Sequence, residues 1–278
     1  MTAIARLLDV MAKLRDPETG CPWDVAQSFS SIAPYTIEEA YEVAEAINQA
    51  DWPALKDELG DLLFQVVFYA QMAGEDGLFD FEAIADGVAE KMVRRHPHVF
   101  GDGSVESAEA QTHAWEAQKA TERAAKAEAE GRAASVLDGV TTALPALTRA
   151  AKLQARAARV GFDWPVTAAV IDKIDEEIRE LRAEFNLSAD QERGADQERG
   201  ANKDRIEDEL GDLLFACVNL ARHAGIDPEG ALRRGNAKFE RRFRRIEAML
   251  DETGRKPDQS SLEEMDRLWD AVKAEERG

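Results

Sequence analysis

One heptapeptide occurs twice in this chain and constrains the fold more than any other feature. The sequence Glu-Leu-Gly-Asp-Leu-Leu-Phe runs over residues 58–64 and again, unchanged, over residues 209–215. A second acidic motif, Glu-Glu-x-x-Glu, precedes each copy and begins at Glu38 and at Glu176. Because both motifs recur in the same order, we predict two copies of one structural unit.

Each heptapeptide opens a run of apolar residues with the spacing of an α-helix. In the first copy the predicted inward stripe comprises Leu59, Leu62, Leu63, Val66, Val67 and Ala70. The second copy repeats this stripe with Leu210, Leu213, Leu214, Cys217, Val218 and Ala221. We predict Cys217 to be a small core residue. Phe64 and Phe68 add a second apolar face, which predicts that this helix also packs against a partner subunit.

No stretch shows the strand-like alternation bounded by hairpin turns that a β-sheet requires. We therefore predict an all-α protein with two tandem helical bundles. The N-terminal unit is placed at 1–103, a charged Ala- and Glu-rich connector at 104–135, and the C-terminal unit at 136–278. The connector is predicted to be an exposed helix with some disorder. A tandem hexapeptide at 189–200 is predicted to be an exposed insertion without a packing role.

The helix with the first acidic motif is predicted to begin near Pro34 or Thr36 and to end near Asn48. Its predicted inward residues are Ile37, Tyr41, Ala44 and Ile47. Residues 21–24, Cys-Pro-Trp-Asp, are predicted to form a loop, and Asp51 is predicted to cap the next helix.

Acidic residues three positions apart share one face of a helix, so each unit carries two forked pairs of carboxylates. The pairs are Glu39 with Glu42, Glu58 with Asp61, Glu177 with Glu180, and Glu209 with Asp212. Two such helices side by side place four carboxylates around one point, where like charges raise one another's pKa unless a cation lies between them. The oxygen-only ligands favour Mg²⁺ or Mn²⁺.

A solvated acidic face and a helix cap are the simpler explanations of these motifs. In the first unit, Thr36 and Glu39 match a capping box, in which the glutamate only satisfies backbone N–H groups. In the second unit, Glu177 lies ten residues beyond Thr167, where no unpaired N–H group needs it. A helix cap can therefore explain the acidic motif of the first unit, but not that of the second.

The net charge of the chain limits the kinds of molecule that it is expected to bind. A net charge of −20 argues against nonspecific binding to nucleic acid or to anionic membranes. No apolar run reaches the length of a membrane span, and residues 1–13 contain no apolar signal core. Cys21 and Cys217 are too few for a disulfide framework, so we predict a cytoplasmic protein.

A phosphate substrate needs local positive charge in such an acidic chain, and the second unit supplies it. Lys173 precedes Glu177 by one helical turn on the same face. A basic stretch follows at residues 236–245, and an aromatic ring further on is able to stack on a base. The candidate contacts in this part are Asn236, Lys238, Arg242 and Trp269. A solvated helix face is the alternative explanation of the arginines.

Several loop sequences accompany the acidic motifs in a specific order. They are Gly20-Cys-Pro-Trp-Asp24, residues 32–39, Arg94-Arg-His-Pro-His-Val-Phe100 and Gly161-Phe-Asp-Trp164. In this combination the chain resembles the MazG family of nucleoside triphosphate pyrophosphohydrolases over nearly its whole length. The resemblance implies an intertwined all-α homodimer that hydrolyses NTPs and dNTPs to monophosphate and pyrophosphate with Mg²⁺ and broad base tolerance. It fits the clearing of non-standard nucleotides or the control of nucleotide signals under stress.

The resemblance also assigns roles to residues. Metal ligands fall on Glu177, Glu180, Glu209 and Asp212. Nucleotide contacts fall on Lys173, Glu176, Arg205, Asp208, Arg234, Asn236, Lys238 and Trp269. The first unit keeps the carboxylates, but Tyr35 stands in place of Lys173 and Ala89 in place of Asn236. We therefore expect the principal active site in the second unit, with the first unit a weaker site or a structural, dimerising copy.

The predicted catalytic carboxylates are Glu176, Glu177 and Glu209. A water deprotonated by the metal or by Glu176 would attack the phosphorus at the α–β junction, while Lys173 and Lys238 offset the charge of the leaving pyrophosphate. A di-iron bundle is disfavoured because no Glu is followed three residues later by His. A non-catalytic helical scaffold and a dUTP- or dCTP-specific phosphohydrolase of related fold remain alternatives.

Overall fold

The computed structural model describes residues 1–190 and 196–276, without the side chains of residues 109, 113, 187–190 and 196–202. Every regular element in these ranges is a helix, which confirms the all-α prediction. The chain divides into two compact units, Met1–Gln118 and Lys119–Gly278, at a boundary inside the predicted connector.

The N-terminal unit is built around one long helix pair. Its helices are α1 (Ala3–Leu14), α2 (Pro22–Val25), α3 (Phe29–Gln49), α4 (Trp52–Glu75), α5 (Phe81–Arg95) and α6 (Pro97–Phe100). α3 packs along α4, and α1 packs against the same α4. Helix α7 (Ala108–Ala129) then occupies much of the predicted connector.

α3 begins earlier than the predicted start at Pro34. The Ser28 hydroxyl accepts a hydrogen bond from the Ser31 N–H, and the Ser31 hydroxyl accepts one from the Ser28 N–H. This reciprocal capping box fixes the helix start at Phe29, and Pro34 is tolerated near the N-terminus although it lacks an N–H group. The predicted loop at residues 21–24 is likewise the one-turn helix α2, whereas the Asp51 cap of α4 is confirmed.

The core of the N-terminal unit lies where α1, α3 and α4 meet. It consists of Met11, Ile32, Val67, Phe68 and Met72. Phe68 is 1% exposed and is buried within the unit itself, while the packing of α4 against a partner subunit stays a prediction. The exposed apolar face of α3 and α4 instead comprises Ile37, Tyr41, Ile47, Leu59 and Leu63, all predicted to face inward. Val67 and Ala70 of the predicted α4 stripe are buried as predicted, whereas Leu59 and Leu63, nearer the start of the helix, are exposed.

The C-terminal unit repeats the long helix pair. Its helices are α8 (Ala146–Ala158), α9 (Thr167–Asp190), α10 (Asp196–His223), α11 (Pro228–Asp251) and α12 (Leu262–Glu275). α9 packs along α10, α8 packs against α10, and α11 pairs with α12. Ile246, Leu250 and Val272 form the buried core of the α11–α12 hairpin.

Three further sequence predictions concern a cysteine, an insertion and membrane spans. Cys217 is exposed, so its assignment to the core was wrong; α10 turns its neighbours Ala216 and Val218 inward instead. Residues 191–195 of the tandem hexapeptide lie outside the described residues, and the insertion stays a prediction. No helix in the described ranges combines the length and apolar character needed to cross a membrane.

Candidate active site

α9 and α10 run antiparallel, and this arrangement brings the two acidic motifs of the C-terminal unit together. Near one end of the pair, Arg205 Nε lies 3.0 Å from Glu184 Oε2. Further along, Glu177 of α9 lies beside Glu209 and Asp212 of α10. From the first contact to the second, the residue number falls on α9 and rises on α10, so the two helices are antiparallel.

Two groups of carboxylates share the central residue Glu177. Glu176, Glu177 and Glu180 form one group, and Glu177, Glu209 and Asp212 form the other. Within each group, one oxygen atom from every residue lies within 4.8 Å of the others. Glu177 is only 4% exposed. The structure therefore gathers the four carboxylates that the motif spacing indicated, while their role as metal ligands stays a prediction.

Lys173 is bonded to two of these carboxylates. Its Nζ atom lies 2.6 Å from Glu176 Oε1 and 2.7 Å from Glu177 Oε1. The hydrogen bond to Glu176, followed by that to Glu177, raises the pKa of Lys173 above its usual value, and the same bond lowers the pKa of Glu176. Lys173 thus stays a cation and Glu176 a carboxylate around neutral pH.

Glu209 has the opposite electrostatic environment. Loss of hydration raises the pKa of its carboxyl group, and the charges of Glu180, Glu177 and Asp212 raise it further. Ionisation of Glu209 is therefore less favourable in the folded chain than in a freely solvated glutamate. This is the behaviour expected of a carboxylate whose charge is to be offset by a bound metal ion.

The N-terminal unit has a simpler carboxylate group. Glu39, Glu58 and Asp61 approach one another within 4.8 Å. Desolvation raises the pKa of Glu39 and of Glu58, and each also feels the charge of the fourth predicted ligand, Glu42. Tyr35 occupies the position that Lys173 holds in the second unit, and its ring contacts Trp23 edge to face. No lysine therefore stands at this position of the first group.

A cavity of about 730 Å³ lies beside the carboxylates of the C-terminal unit. At one end it is lined by Lys173, Glu177 and Asp212. The remaining walls are mainly apolar and come from α8, α9, α10 and the segments next to α8. They include Leu137, Leu153, Ala157, Phe162, Trp164, Val170, Phe215 and Ala216. A cavity of this size and composition is typical of small-molecule sites.

An ion pair holds the loop between α8 and α9 against α10. Arg222 Nη1 donates to Asp163 Oδ2 at 3.0 Å, and the second guanidinium nitrogen contacts the other oxygen. Chiefly because of Arg222, the pKa of Asp163 is lowered to about 2. The adjacent Phe162 and Trp164 line the cavity and remain 82% and 42% exposed. The loop therefore presents two aromatic rings at the cavity.

The other predicted nucleotide contacts do not line this cavity. Arg205 pairs with Glu184 on the far side of the carboxylates. Arg242 lies over the ring of Trp269 and binds Glu276, with 2.6 Å between Nη2 and Oε2. The remaining predicted contacts are exposed and lie outside the cavity wall: Asp208, Arg234, Asn236 and Lys238. A role for these side chains stays a prediction.

Sequence reasoning missed several cavity residues. On α10, Phe215, Asn219 and Arg222 follow the predicted ligand Asp212 at helical spacing and form one wall with it. Gln154 of α8 and Asp163 complete the polar part of the lining. The α10 residues were detectable, because Asn219 lies two helical turns beyond a predicted ligand on the same face. Gln154 carried no signal, since its position depends on the packing of α8.

The duplicated helix pair, the converging carboxylates and the adjoining cavity define an all-α protein with a candidate site for a metal and a phosphate ligand. The MazG nucleotide pyrophosphohydrolase domain matches residues 27–100 and again residues 167–246. The chain belongs to this family, which confirms the resemblance seen in the sequence. Each match contains one long helix pair; the first contains the single N-terminal carboxylate group, and the second contains the two groups that share Glu177.

Curated relatives cover the whole chain. A nucleoside triphosphate pyrophosphohydrolase of Escherichia coli (strain K12) is 49% identical over 276 residues, which is 99% of each protein. The nucleoside triphosphate pyrophosphohydrolase/pyrophosphatase MazG of Thermotoga maritima is 40% identical over 96% of this chain and 94% of its own length. A nucleoside triphosphate pyrophosphohydrolase of Mycobacterium tuberculosis is 37% identical over 56% of this chain and 46% of its own length.

Proposed function

We propose that this chain hydrolyses nucleoside triphosphates, both NTPs and dNTPs, to the monophosphate and pyrophosphate in its C-terminal unit. The observation that carries the proposal is the cavity that connects Lys173, Glu177 and Asp212 to an apolar space. A triphosphate at the charged end leaves its nucleoside in the apolar part. The family match and the printed names of the Escherichia coli and Thermotoga maritima relatives support the same activity.

The donor set fits a hard divalent cation. Only carboxylate oxygens converge, and loss of hydration together with the charges of neighbouring carboxylates raises the pKa of Glu209. We propose Mg²⁺, with Mn²⁺ as a substitute, held by Glu177, Glu180, Glu209 and Asp212. When bound, such an ion offsets phosphate charge and favours ionisation of water.

The chain's own residues supply the other parts of the reaction. Lys173 stays protonated at the cavity wall, so it is placed to bind an anionic phosphate oxygen. Glu176 stays ionised beside it and is the proposed acceptor of a proton from the attacking water. Glu177 is buried between these two side chains on one side and the α10 carboxylates on the other. In this proposal it holds both sets of side chains in position.

The N-terminal unit is proposed to be a structural copy or a weaker site. It keeps Glu39, Glu42, Glu58 and Asp61 as possible ligands of a metal, but Tyr35 cannot replace the charge of Lys173. Its exposed apolar face on α3 and α4 suits contact with a second copy of the chain. We therefore propose that it contributes mainly to an intertwined homodimer.

The mainly apolar cavity favours broad base tolerance, since apolar walls accept purines and pyrimidines alike. The proposed role is the removal of non-standard nucleotides or the control of stress nucleotides in the cytoplasm. Nucleic acid is not a proposed partner, because the net charge of −20 opposes it.

A substrate panel tests the proposal. The purified chain is incubated with each NTP and dNTP, and pyrophosphate and monophosphate are quantified with MgCl₂, with MnCl₂ and with EDTA. We expect stoichiometric pyrophosphate and monophosphate from all substrates with either metal and none with EDTA. Release of single phosphates, or no turnover of any nucleotide, would contradict the proposal; the latter favours the scaffold alternative. Turnover of dUTP or dCTP alone would favour the base-specific alternative.

A further inference from the structure

Lys173 lies where the two carboxylate groups of the C-terminal unit meet. Its Nζ atom is bonded to Glu176 and to Glu177, and Glu177 is the residue that both groups share. The side chain of Glu177 is 5% exposed, whereas that of Lys173 is 33% exposed. An ammonium group at the cavity wall therefore offsets the charge of a buried carboxylate at the centre of the site.

The acidic motifs do not need this lysine in order to converge. In the N-terminal unit Tyr35 precedes Glu39 by four residues, as Lys173 precedes Glu177. The neighbouring charges that raise the pKa of Glu39 and of Glu58 all come from carboxylates. The three carboxylates of that unit still approach one another within 4.8 Å. The ammonium group is therefore a specific feature of the second unit.

A divalent cation and Lys173 compete for Glu177. Mg²⁺ binds carboxylate oxygens at about 2.1 Å, so an ion on either oxygen of Glu177 would lie within about 7 Å of Lys173 Nζ in its present position. Positive charges at this distance in a partly buried site repel each other. The flexible four-carbon stem of the lysine allows the ammonium group to move away while Glu177 keeps its place.

The cavity gives the displaced ammonium group a place to move. Lys173, Glu177 and Asp212 line its charged end, where the proposed function places the triphosphate. An ammonium group that leaves Glu177 towards this space would meet anionic phosphate oxygens, which are strong acceptors. Occupation of the carboxylates by a metal ion would therefore make Lys173 available to the substrate.

We propose that Lys173 is a built-in counter-cation of the metal-free chain, which a divalent cation displaces from Glu177 and thereby frees for the phosphate groups of the substrate. The inference rests on the proposed function, because it needs the metal and the triphosphate to share this site. It also fixes the sign of one effect. A lysine that only positioned the carboxylates would strengthen metal binding, whereas a competing cation weakens it.

The affinity for Mn²⁺ alone, without nucleotide, tests the inference. Free Mn²⁺ is measured by electron paramagnetic resonance with the full-length Glu58→Gln variant, which lacks one carboxylate charge of the N-terminal group. Lys173→Met is added to this background. Lys152→Met, on the exposed surface of α8, is the matched control for the loss of one positive charge. Glu58→Gln combined with Glu209→Gln gives the binding that remains without the C-terminal group.

We expect Lys173→Met to lower the Mn²⁺ dissociation constant by about fivefold to fiftyfold, because the ion no longer has to break two charge-assisted hydrogen bonds of a partly exposed lysine. Lys152→Met should change this constant by less than about twofold, as expected for a distant exposed charge. An unchanged or raised dissociation constant in a Lys173→Met variant with a native circular dichroism spectrum would overturn the inference.

A second measurement uses the unaltered chain, in case Lys173→Met is unfolded. In a crystal structure with MnCl₂, we expect Lys173 Nζ to lie more than about 4 Å from both oxygens of Glu177, beyond the limit of an ion pair. A retained contact near 2.7 Å beside a bound Mn²⁺ ion would overturn the inference.

Failure of the proposed function would give a different result. If the addition of Glu209→Gln to Glu58→Gln leaves Mn²⁺ binding unchanged, the C-terminal carboxylates are not the metal site. That outcome would refute the metal site of the proposed function, and the inference with it. Normal Mn²⁺ binding without tightening in Lys173→Met would overturn the inference alone.

Discussion

Lys173 Nζ lies 2.7 Å from an oxygen of Glu177, whose side chain is 5% exposed. A buried carboxylate is costly unless it is paired, so this contact offsets the cost of burying Glu177 between the two acidic motifs. The lysine therefore has two roles. It stabilises the folded C-terminal unit, and it presents a positive charge at the cavity wall.

Replacing Lys173 by Met should destabilise the chain. The substitution leaves the Glu177 charge without its partner, and we expect a loss of about 1–3 kcal/mol in unfolding free energy, because the lysine is partly exposed to solvent. Urea unfolding at neutral pH, with EDTA or with MgCl₂, measures this loss, and Mg²⁺ should restore part of it. Lys56→Met, on the exposed surface of α4, is the control. Equal stability of the two variants would contradict the role of the pair.

Phe68 and Asn219 hold corresponding positions but should differ in their effect on stability. Phe68→Ala removes a ring from a packed core, and we expect a cost of about 3–5 kcal/mol. Asn219→Ala removes an amide at a cavity, and we expect a cost below about 1 kcal/mol. Urea unfolding of both variants tests the difference. A small cost for Phe68→Ala would mean that this position of the N-terminal unit is also open.

Acid should weaken the α11–α12 hairpin. Arg242 and Arg241 bind Glu276 and lower its pKa from 4.5 to about 2. A carboxyl group whose pKa is lowered by folding stabilises the folded chain fully at a pH above its pKa in the unfolded chain. This stabilisation is lost as the pH falls from about 4.5 towards 2. The urea midpoint of the unaltered chain should therefore decline more between pH 5 and pH 2.5 than that of Glu276→Gln. Glu247→Gln, on the exposed surface of α11, should follow the unaltered chain; identical profiles for all three would contradict the assignment.

The exposed apolar residues of the long helix pairs should mediate dimerisation. Leu63 is 40% exposed and Leu214 is 50% exposed. Analytical ultracentrifugation should give a mass near twice the chain mass of 30.7 kDa. Leu63→Lys and Leu214→Lys together should shift the mass to that of one chain, because lysine charges cannot be buried in an apolar interface. Leu262→Lys, on exposed α12, should remain dimeric. A single-chain mass for the unaltered protein would contradict the proposed homodimer.

Local patterns predicted much of the fold and the convergence of the carboxylates. The Asp51 cap of α4 could be predicted because a helix cap depends only on neighbouring residues. The acidic groups could be predicted because a spacing of three residues fixes a common helix face. The exposure of Leu59 and Leu63 could not, since periodicity identifies an apolar stripe but not which part of it the rest of the unit covers.

The cavity could not be predicted for a different reason. Gln154 and Phe215 are bonded across 61 residues of sequence, and Arg222 reaches Asp163 across 59. Contacts at such separations depend on tertiary packing and leave no local pattern. The contacts of Arg242 with Trp269 and with Glu276 could not be predicted for the same reason, because they exist only once α11 and α12 pair.

Pyrophosphate release by Glu209→Gln is the most direct test of the central claim that the α9–α10 carboxylates form the active site. The substitution keeps the side-chain shape and removes a charge that its neighbours oppose, so folding should be preserved. We predict at least a 100-fold loss of kcat with MgCl₂, of the order expected when a key electrostatic group is removed. Asp204→Asn, on the same helix but outside the group, should retain activity, and Glu58→Gln should lose far less than Glu209→Gln. Undiminished pyrophosphate release by a folded Glu209→Gln variant would contradict the account.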